Sequence, residues 1–369
     1  MRLLSQSSLT GQKVLLRLDL NVPLTSDKPP KIQDDFRLRS SIATINYLLN
    51  RDNRVVIIGH LGNPTGPQAA HSLAPVVDRL SELLGQEIAF APELFSSSTQ
   101  DQVDNLADGK VIVLENLRFD PGEGANSRTF ARRLANYGQV FVNDAFSVCH
   151  RSNASTVAIT EFLPSYAGLL LEKEAMVLGG LLRHPAQPFV GIIAGAKIAD
   201  KLPVIKNLIR RVDRLLVGGG VANTFLAAEG LTVRRSLVDK EYLTVAQKLR
   251  RLAGEKLILP TDFVWRDGQI MDLGQNSIEL FRTHLSHAKT VFWSGSLGVY
   301  EQPPYDLASS AIARLLADLP ATTIIAGGNT ADLVHRLGLA NQMSFISTGG
   351  GATLSYMAGE TLPGLAALG

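Results

Sequence analysis

One cysteine, Cys149, stands among 369 residues. That excludes an internal disulfide and any cysteine-rich metal centre. Charge of one sign is also missing: 36 Lys and Arg against 34 Asp and Glu leave a net charge of +2. No basic tail or run points to nucleic acid or a membrane surface, so any anion site must be a local cluster. No apolar run reaches the roughly 18 residues of a membrane-spanning helix. The first residues, "MRLLSQSSLTGQKV", lack the apolar centre of a signal peptide. The expectation is a soluble, cytoplasmic protein. Three chemical signatures are absent too. No G-x-x-x-x-G-K-[ST] occurs, and no G-x-G-x-x-G follows a strand, since "GGGVAN" puts Asn223 where the last glycine would sit. No Ser-His-Asp or metal-protease pattern is present.

What is present is apolar residue, 45% of the chain, with only 19% charged. That composition supports sizeable cores, and the length favours two domains over one. The apolar runs are short and rich in Val and Ile: residues 13–18, 54–59, 87–91, 110–115 and 139–143, then 189–194, 214–219, 256–260, 290–295, 322–328 and 343–348. Helix-like stretches separate them. Runs buried on both faces belong to parallel strands covered by helices. The predicted fold is α/β: two Rossmann-like lobes, each a mostly parallel sheet flanked by helices, joined by an interdomain helix and hinge. The expected boundaries are an N-terminal lobe over 1–166, a linking helix over 167–184, a C-terminal lobe over 185–355, and a final segment, 356–369, returning to the first lobe. The Gly179-Gly180 pair reads as the end of the linking helix, as a hinge or simply as its terminator.

Ligands of such sheets bind beyond the carboxyl ends of the strands. In the second half four strands end in small-residue turns, "AGAKIADK", "GGGVANT", "GGNTADL" and "TGGGATL". Each is explicable as a tight β-to-α turn, but four at one sheet edge favour a nucleotide, because glycine lets backbone amides approach phosphates closely. Lys197 and Lys201, four apart at a helix start, would reach phosphates from one side; as two solvated lysines they need no ligand. First-half strand ends carry Arg17, Asp19, Asn21, Arg37, His60, Arg118, His150 and Arg151. A lone arginine is usually a surface residue; several with histidines form the cluster expected for a small, multiply anionic ligand. Phosphoryl transfer to a carboxylate needs no general base, since the nucleophile is already ionised, and would rest on positioning and charge neutralisation.

Twelve stretches carry a family resemblance: "RLDLNVPL", "DDFRLR", "GHLGNP", "LENLRF", "FVNDAFSVCHR", "AGLLLEKE", "AGAKIADK", "GGGVANTF", "SGSLGVYE", "GGNT", "STGGGAT" and "LPGLAAL". In this order they resemble phosphoglycerate kinase over nearly the whole chain. The resemblance implies reversible phosphoryl transfer between 1,3-bisphosphoglycerate and ADP, giving 3-phosphoglycerate and MgATP, in a monomer whose two lobes close on each other. It implies that Arg17, Asp19, Asn21, Arg37, His60, Arg118 and Arg151, with His150 adjoining, hold phosphoglycerate. Arg37 would steady the transferring phosphoryl, and Lys197 and Lys201 would hold nucleotide phosphates. Gly195, Ala196, Gly219 and Val299 would line the adenosine slot, and Glu301 would bind ribose hydroxyls. Ser294, Gly328, Asn329 and Thr330 would complete the nucleotide site, and Gly350 and Gly351 would face the transferred group.

The chain departs from the family pattern inside these motifs. Asn63 stands for an arginine, Ser294 and Ser296 for Asn and Pro, Asn153 for a histidine, Ser147 for a glycine and Ser355 for a glutamate. Asn329 replaces the Asp that binds nucleotide-bound Mg²⁺. An amide oxygen can still ligate a hard cation, but without charge; alternatively Asn329 is simply a helix N-cap. Two other functions are compatible with these features: a nucleotide- or phosphoglycerate-binding pseudokinase, and another two-lobed Rossmann enzyme such as a glycosyltransferase.

Overall fold

The computed structural model describes residues 1–27 and 30–369 and divides into two compact units. The first comprises Met1–Met176 and Thr361–Gly369, and the second Val177–Glu360.

Among the described residues the first unit holds β1 (Lys13–Arg17), β2 (Arg54–Ile58), β3 (Ala89–Ala91), β4 (Val111–Leu114), β5 (Val140–Asn143) and β6 (Ser165–Ala167). They pair in parallel in the order β3-β4-β2-β1-β5-β6. Val14, Leu15 and Leu16 are all fully buried, as are Val56 and Ile57, because helices cover both faces. The helix Phe36–Leu49 shows why: Leu38, Ser41, Ile45 and Leu48 recur at helical spacing and are its buried stripe.

The second unit repeats the plan with β7 (Phe189–Ile193), β8 (Arg214–Val217), β9 (Leu257–Ile258), β12 (Thr290–Ser294), β13 (Thr322–Ala326) and β14 (Phe345–Ile346). Their parallel order is β14-β13-β12-β7-β8-β9. Between β9 and β12 an antiparallel hairpin is inserted, β10 (Phe263–Arg266) and β11 (Gln269–Leu273). Its Asp267 and Gly268 both have positive φ, the turn that an Asp-Gly pair favours. Neither this hairpin nor β6 is anticipated above.

In each sheet the strand order reverses direction once, between β1 and β5 in the first unit and between β7 and β12 in the second. A crevice opens at such a reversal. The loops after those strands are "LDLN", "DAFSVCHR", "AGAK" and "GSLGVYE", which carry much of the candidate chemistry.

The helix Leu169–Arg183 contains the point where one unit passes into the other. Gly179 and Gly180 lie inside this helix, not at its end. A Cβ on Gly179 would lie 3.1 Å from the Tyr356 hydroxyl and from the Arg183 guanidinium, two flexible side-chain ends that would have to give slightly. At the other end of the chain, Gly364 N donates to the Cys149 carbonyl at 2.9 Å, fixing the last segment within the first unit.

Candidate active site

In the first unit the cluster is built from charged side chains that hold one another. Asp19 leaves the end of β1 and is 4% exposed. Its Oδ2 lies 3.0 Å from an Arg37 terminal nitrogen and accepts from Ser147 Oγ at 2.6 Å. Arg37, from the first turn of Phe36–Leu49, also donates to the Asn21 carbonyl at 2.8 Å. Asn21 Oδ1 accepts from Gly62 N at 2.8 Å, and Arg118 donates to the Gly62 carbonyl at 2.5 Å. Arg151 Nε donates to His150 Nε2 at 3.2 Å. His60 brings the group together electrostatically. Burial, and then the fields of Arg17, Arg118, Arg37 and Arg151, push its imidazole well below the ordinary histidine range. Arg17 touches this neutral ring, and the positive fields of the other three guanidinium groups reach it.

Arg17 differs from the others. It is 1% exposed, and its donors go to Ser155 Oγ at 2.9 Å, to His60 Nδ1 at 3.0 Å and to the Leu18 carbonyl. It lies beneath the cluster instead of lining it. Two residues overlooked in the sequence, Glu123 and Ser155, lie deeper still: Ser155 donates from N and Oγ to the Glu123 carboxylate at 3.0 and 2.7 Å. Nothing in "PGEG" or "NAST" marks them as polar and buried. Asn63 is exposed, while Asn153 faces inward and donates to the Glu123 carbonyl at 3.3 Å.

In the second unit the corresponding crevice is built mainly from backbone. Gly195 sits at φ +113°, and its carbonyl accepts from Val221 N at 3.2 Å. Gly219 N donates to the Leu297 carbonyl at 3.1 Å, and a Cβ on Gly220 would run into the Ala196 carbonyl oxygen. The turns after β7, β8 and β12 are thus in backbone contact, which leaves no room for side chains between them. Lys201 is half-buried; its ammonium donates to Ser294 Oγ at 3.1 Å, and desolvation pulls it down to about 8.

Lys197 and Lys201 do not share one turn of an α-helix. Lys197 is exposed in the loop, Lys201 ends a 3-10 turn, and the helix begins at Leu202 with Pro203 in its first turn. The Asp239 carboxylate takes the Ile198 and Ala199 amides at 2.7 and 3.3 Å, holding the start of the 3-10 turn. Val299, in the loop after β12, donates from N to the Met271 carbonyl at 2.8 Å. Thr330 Oγ1 accepts from Gly295 N at 2.8 Å, tying the turns after β12 and β13 together. Gly350, at φ +52°, precedes the short helix Gly351–Met357, whose first amides have no intrahelical carbonyl to bond.

Asn329 is not an N-cap. Gly327, at φ +90°, occupies that position of the helix Gly328–Arg336, and Asn329 is the second helical residue, exposed, with Nδ2 3.5 Å from Glu301 Oε1. Its amide nitrogen is turned to a carboxylate, which leaves the amide oxygen as a neutral donor toward a cation.

Comparison with known proteins bears on this pair of crevices. The family model for phosphoglycerate kinase matches residues 4–360. Phosphoglycerate kinase of Chloroflexus aggregans is 44% identical, over 97% of this chain and 96% of that protein. The cytosolic phosphoglycerate kinase of Triticum aestivum is 43% identical, over 99% and 97%. The chain belongs to the phosphoglycerate kinase family. Among solved structures, phosphoglycerate kinase from Pyrococcus horikoshii superimposes with a TM-score of 0.91 at 31% identity, covering 100% of this chain and 98% of that one. That from Coxiella burnetii gives 0.86 at 33% identity, covering 99% and 98%. Phosphoglycerate kinases are phosphotransferases with a carboxyl group as acceptor. Within that family, the Ser147 hydroxyl adds a bond to Asp19 that a glycine could not make. Ser294 places a hydroxyl against Lys201 where the family pattern has an amide.

Proposed function

We propose that the chain catalyses reversible transfer of the acyl phosphate of 1,3-bisphosphoglycerate to ADP, giving 3-phosphoglycerate and ATP, with the first unit holding phosphoglycerate and the second the nucleotide. The observation that carries this division is the linked set of charged side chains in one unit, Arg17 on His60, Arg37 on Asp19 and Arg118 on the Gly62 carbonyl, against turns too close for side chains in the other. Arg37, Arg118, Arg151, Asp19, Asn21, His60 and His150 are the phosphoglycerate residues in this reading. Arg17 acts from below, through His60. Gly195, Ala196, Gly219 and Val299 take the adenosine, Glu301 the ribose, and Lys197, Lys201, Ser294, Gly328 and Thr330 the phosphates.

In the direction of ATP consumption the attacking group is a carboxylate, ionised at neutral pH, so no base has to remove a proton. The work is alignment of acceptor and donor and neutralisation of the charge spread over the equatorial oxygens of the moving phosphoryl. Arg37 supplies a guanidinium to those oxygens, Lys197 and Lys201 supply ammonium groups from the nucleotide side, and the amides of Gly350 and Gly351 donate to the group in transit. Positioning of both ligands calls for closure of the two lobes about the 167–184 segment, which follows from the family resemblance.

Mg²⁺ fits this donor set weakly. Among the described residues no three His, Cys, Asp or Glu side chains are grouped to hold a metal. The Asn329 amide oxygen would be a single neutral ligand, with nucleotide phosphates and water completing the shell. Bound with the nucleotide, Mg²⁺ would neutralise phosphate charge. We further propose a monomer acting in the cytoplasm on small molecules, without nucleic acid; no helix among the described residues is long and apolar enough to cross a membrane.

A coupled assay with 3-phosphoglycerate, ATP and varied Mg²⁺ tests the function. Turnover saturating in all three is the expected result. No turnover above background at saturating Mg²⁺, with ADP still bound, would instead leave a pseudokinase.

A further inference from the structure

We propose that Glu123 and Ser155 are positioning residues that act through Arg17 to hold His60 as a neutral imidazole with its proton on Nε2, a fixed hydrogen-bond donor toward an anionic ligand. The proposal rests on the phosphoglycerate-binding reading of the first unit and assigns roles to two residues outside its binding motifs.

Donor and acceptor polarity is fixed along one buried chain of side chains. Glu123 is 1% exposed and Ser155 is fully buried. Ser155 has one hydroxyl proton, which goes to Glu123 Oε1 at 2.7 Å. Its oxygen lone pair is then left to accept from Arg17 Nε at 2.9 Å. A guanidinium has donors only. The Arg17 terminal nitrogen, 3.0 Å from His60 Nδ1, must therefore donate, and Nδ1 must carry a lone pair. The imidazole proton is forced onto Nε2. No protein group bonds to His60 Nε2 among the described residues, so that N–H remains for a ligand.

The arrangement also explains why so hydrophilic a group as Arg17 is enclosed. Leu18, Ser155 and His60 each take one of its three nitrogens, which fixes its plane; the Glu123 carboxylate and Asp19 balance its charge. Remove the Ser155 hydroxyl and the guanidinium can rotate about its long side chain, releasing Nδ1. Arg17 from β1 touches His60, and the charges whose fields act on it are Arg17, Arg37 from the helix Phe36–Leu49, Arg118 from the loop after β4 and Arg151 from the loop after β5. A protonated ring would be a fifth cation among them. A neutral ring with a defined N–H contributes direction without repulsion, and its contribution to affinity does not depend on titration of His60.

The test uses the full-length chain labelled with ¹⁵N-histidine, with the His60 ring signals assigned by their loss in His60→Gln. The wild type is expected to show one Nε2–H tautomer from about pH 5.5 to pH 8, across the ordinary histidine transition. In Ser155→Ala the ring signals should move toward a tautomer mixture. Binding of 3-phosphoglycerate by calorimetry should weaken roughly three- to tenfold, the worth of one hydrogen bond, with ATP binding unchanged. Ser155→Thr should restore both, and Glu123→Gln should fall between. An Nδ1–H tautomer or an imidazolium near pH 6.5 in the wild type overturns the proposal whatever the variants do. A Ser155→Ala protein that keeps a single Nε2–H tautomer and wild-type affinity overturns the relay alone. Failure of the wild type to bind 3-phosphoglycerate overturns the reading of the site on which the donor role depends.

Discussion

The two units use the same sheet plan and the same reversal of strand order to make opposite kinds of site. In the first, long side chains build the site and are held in place: Arg37 on Asp19, Arg118 on the Gly62 carbonyl, and Arg17 beneath them on Ser155 and His60. In the second, the polypeptide itself forms the walls, with Gly220 packed on the Ala196 carbonyl and Gly295 on the Ala194 carbonyl. A side-chain site gathers charge at defined points and suits a small, highly charged ligand. A backbone site offers surface and amides, and suits a flat base and a chain of phosphates. Substitutions should therefore fail differently: by lost charge in the first unit, by lost space in the second.

The largest effect is expected from the charge side. Arg37→Met removes a group proposed to donate to the moving phosphoryl, and kcat/KM for 3-phosphoglycerate should fall by about 10² to 10³. The ATP KM should stay within about twofold, since the lost charge belongs to the other ligand. A loss of less than about tenfold in steady-state assays would remove Arg37 from the chemistry.

Asn329→Asp restores a negative charge to the unit that works by backbone. If the amide weakens transition-state stabilisation by about 2 kcal/mol, turnover at limiting Mg²⁺ should rise up to roughly thirtyfold. Titration of Mg²⁺ at fixed ATP should show the midpoint moving to lower concentration. An unmoved midpoint would show that this position does not touch the metal.

The space side is tested by two glycines. Gly220→Ala drives a methyl into the Ala196 carbonyl, and overpacking of that kind is worth about 1–3 kcal/mol. ATP affinity should weaken about tenfold with 3-phosphoglycerate affinity unchanged, and the melting temperature should drop. Gly180→Ala, inside the helix Leu169–Arg183 with no atom within 4 Å of the new Cβ, should instead stabilise by roughly 0.5–1 kcal/mol. If both variants melt alike, the close approach at Gly220 is not what shapes the crevice.

The sequence exposes these two sites unequally. Continuous Val and Ile runs identify the parallel strands because both faces are buried, so eleven runs suffice to recognise both sheets. β6 is missed because it has three residues, "SYA", with no apolar run. The β10–β11 hairpin is missed although "RDGQ" carries a turn signal, since β10 is largely exposed and neither strand alternates clearly. The arginines and glycines at strand ends are legible because strand ends are where such folds bind ligands. Glu123 and Ser155 are not, because their role depends on a bond between the two across 32 residues of chain and on a bond from Arg17 to Ser155 across 138, and no local pattern encodes a buried partner. Asn329 reads as a cap from sequence, yet Gly327, at positive φ, takes that position.

The smallest expected effect separates the units by pH. Burial lowers the Lys201 ammonium from 10.5 to about 8, with Asp200 opposing the shift. Below pH 7 the charge is present for nucleotide phosphates; at pH 9 about nine-tenths of it is gone in the free protein. The ATP KM should be flat below pH 7 and rise by less than about tenfold by pH 9, since bound phosphates hold the proton. His60 should add no inflection of its own to the 3-phosphoglycerate KM across the ordinary histidine range, because burial and the neighbouring arginines hold it neutral there. Stability moves the other way over the alkaline range. Between about 8 and 10.5 the unfolded chain binds a proton at Lys201 that the folded chain does not, so this residue makes unfolding harder as pH rises, by a total on the order of 3 kcal/mol. Lys201→Arg should abolish both trends, since guanidinium stays protonated throughout. An ATP KM that still climbs between pH 7 and pH 9 in Lys201→Arg would place the titrating group elsewhere.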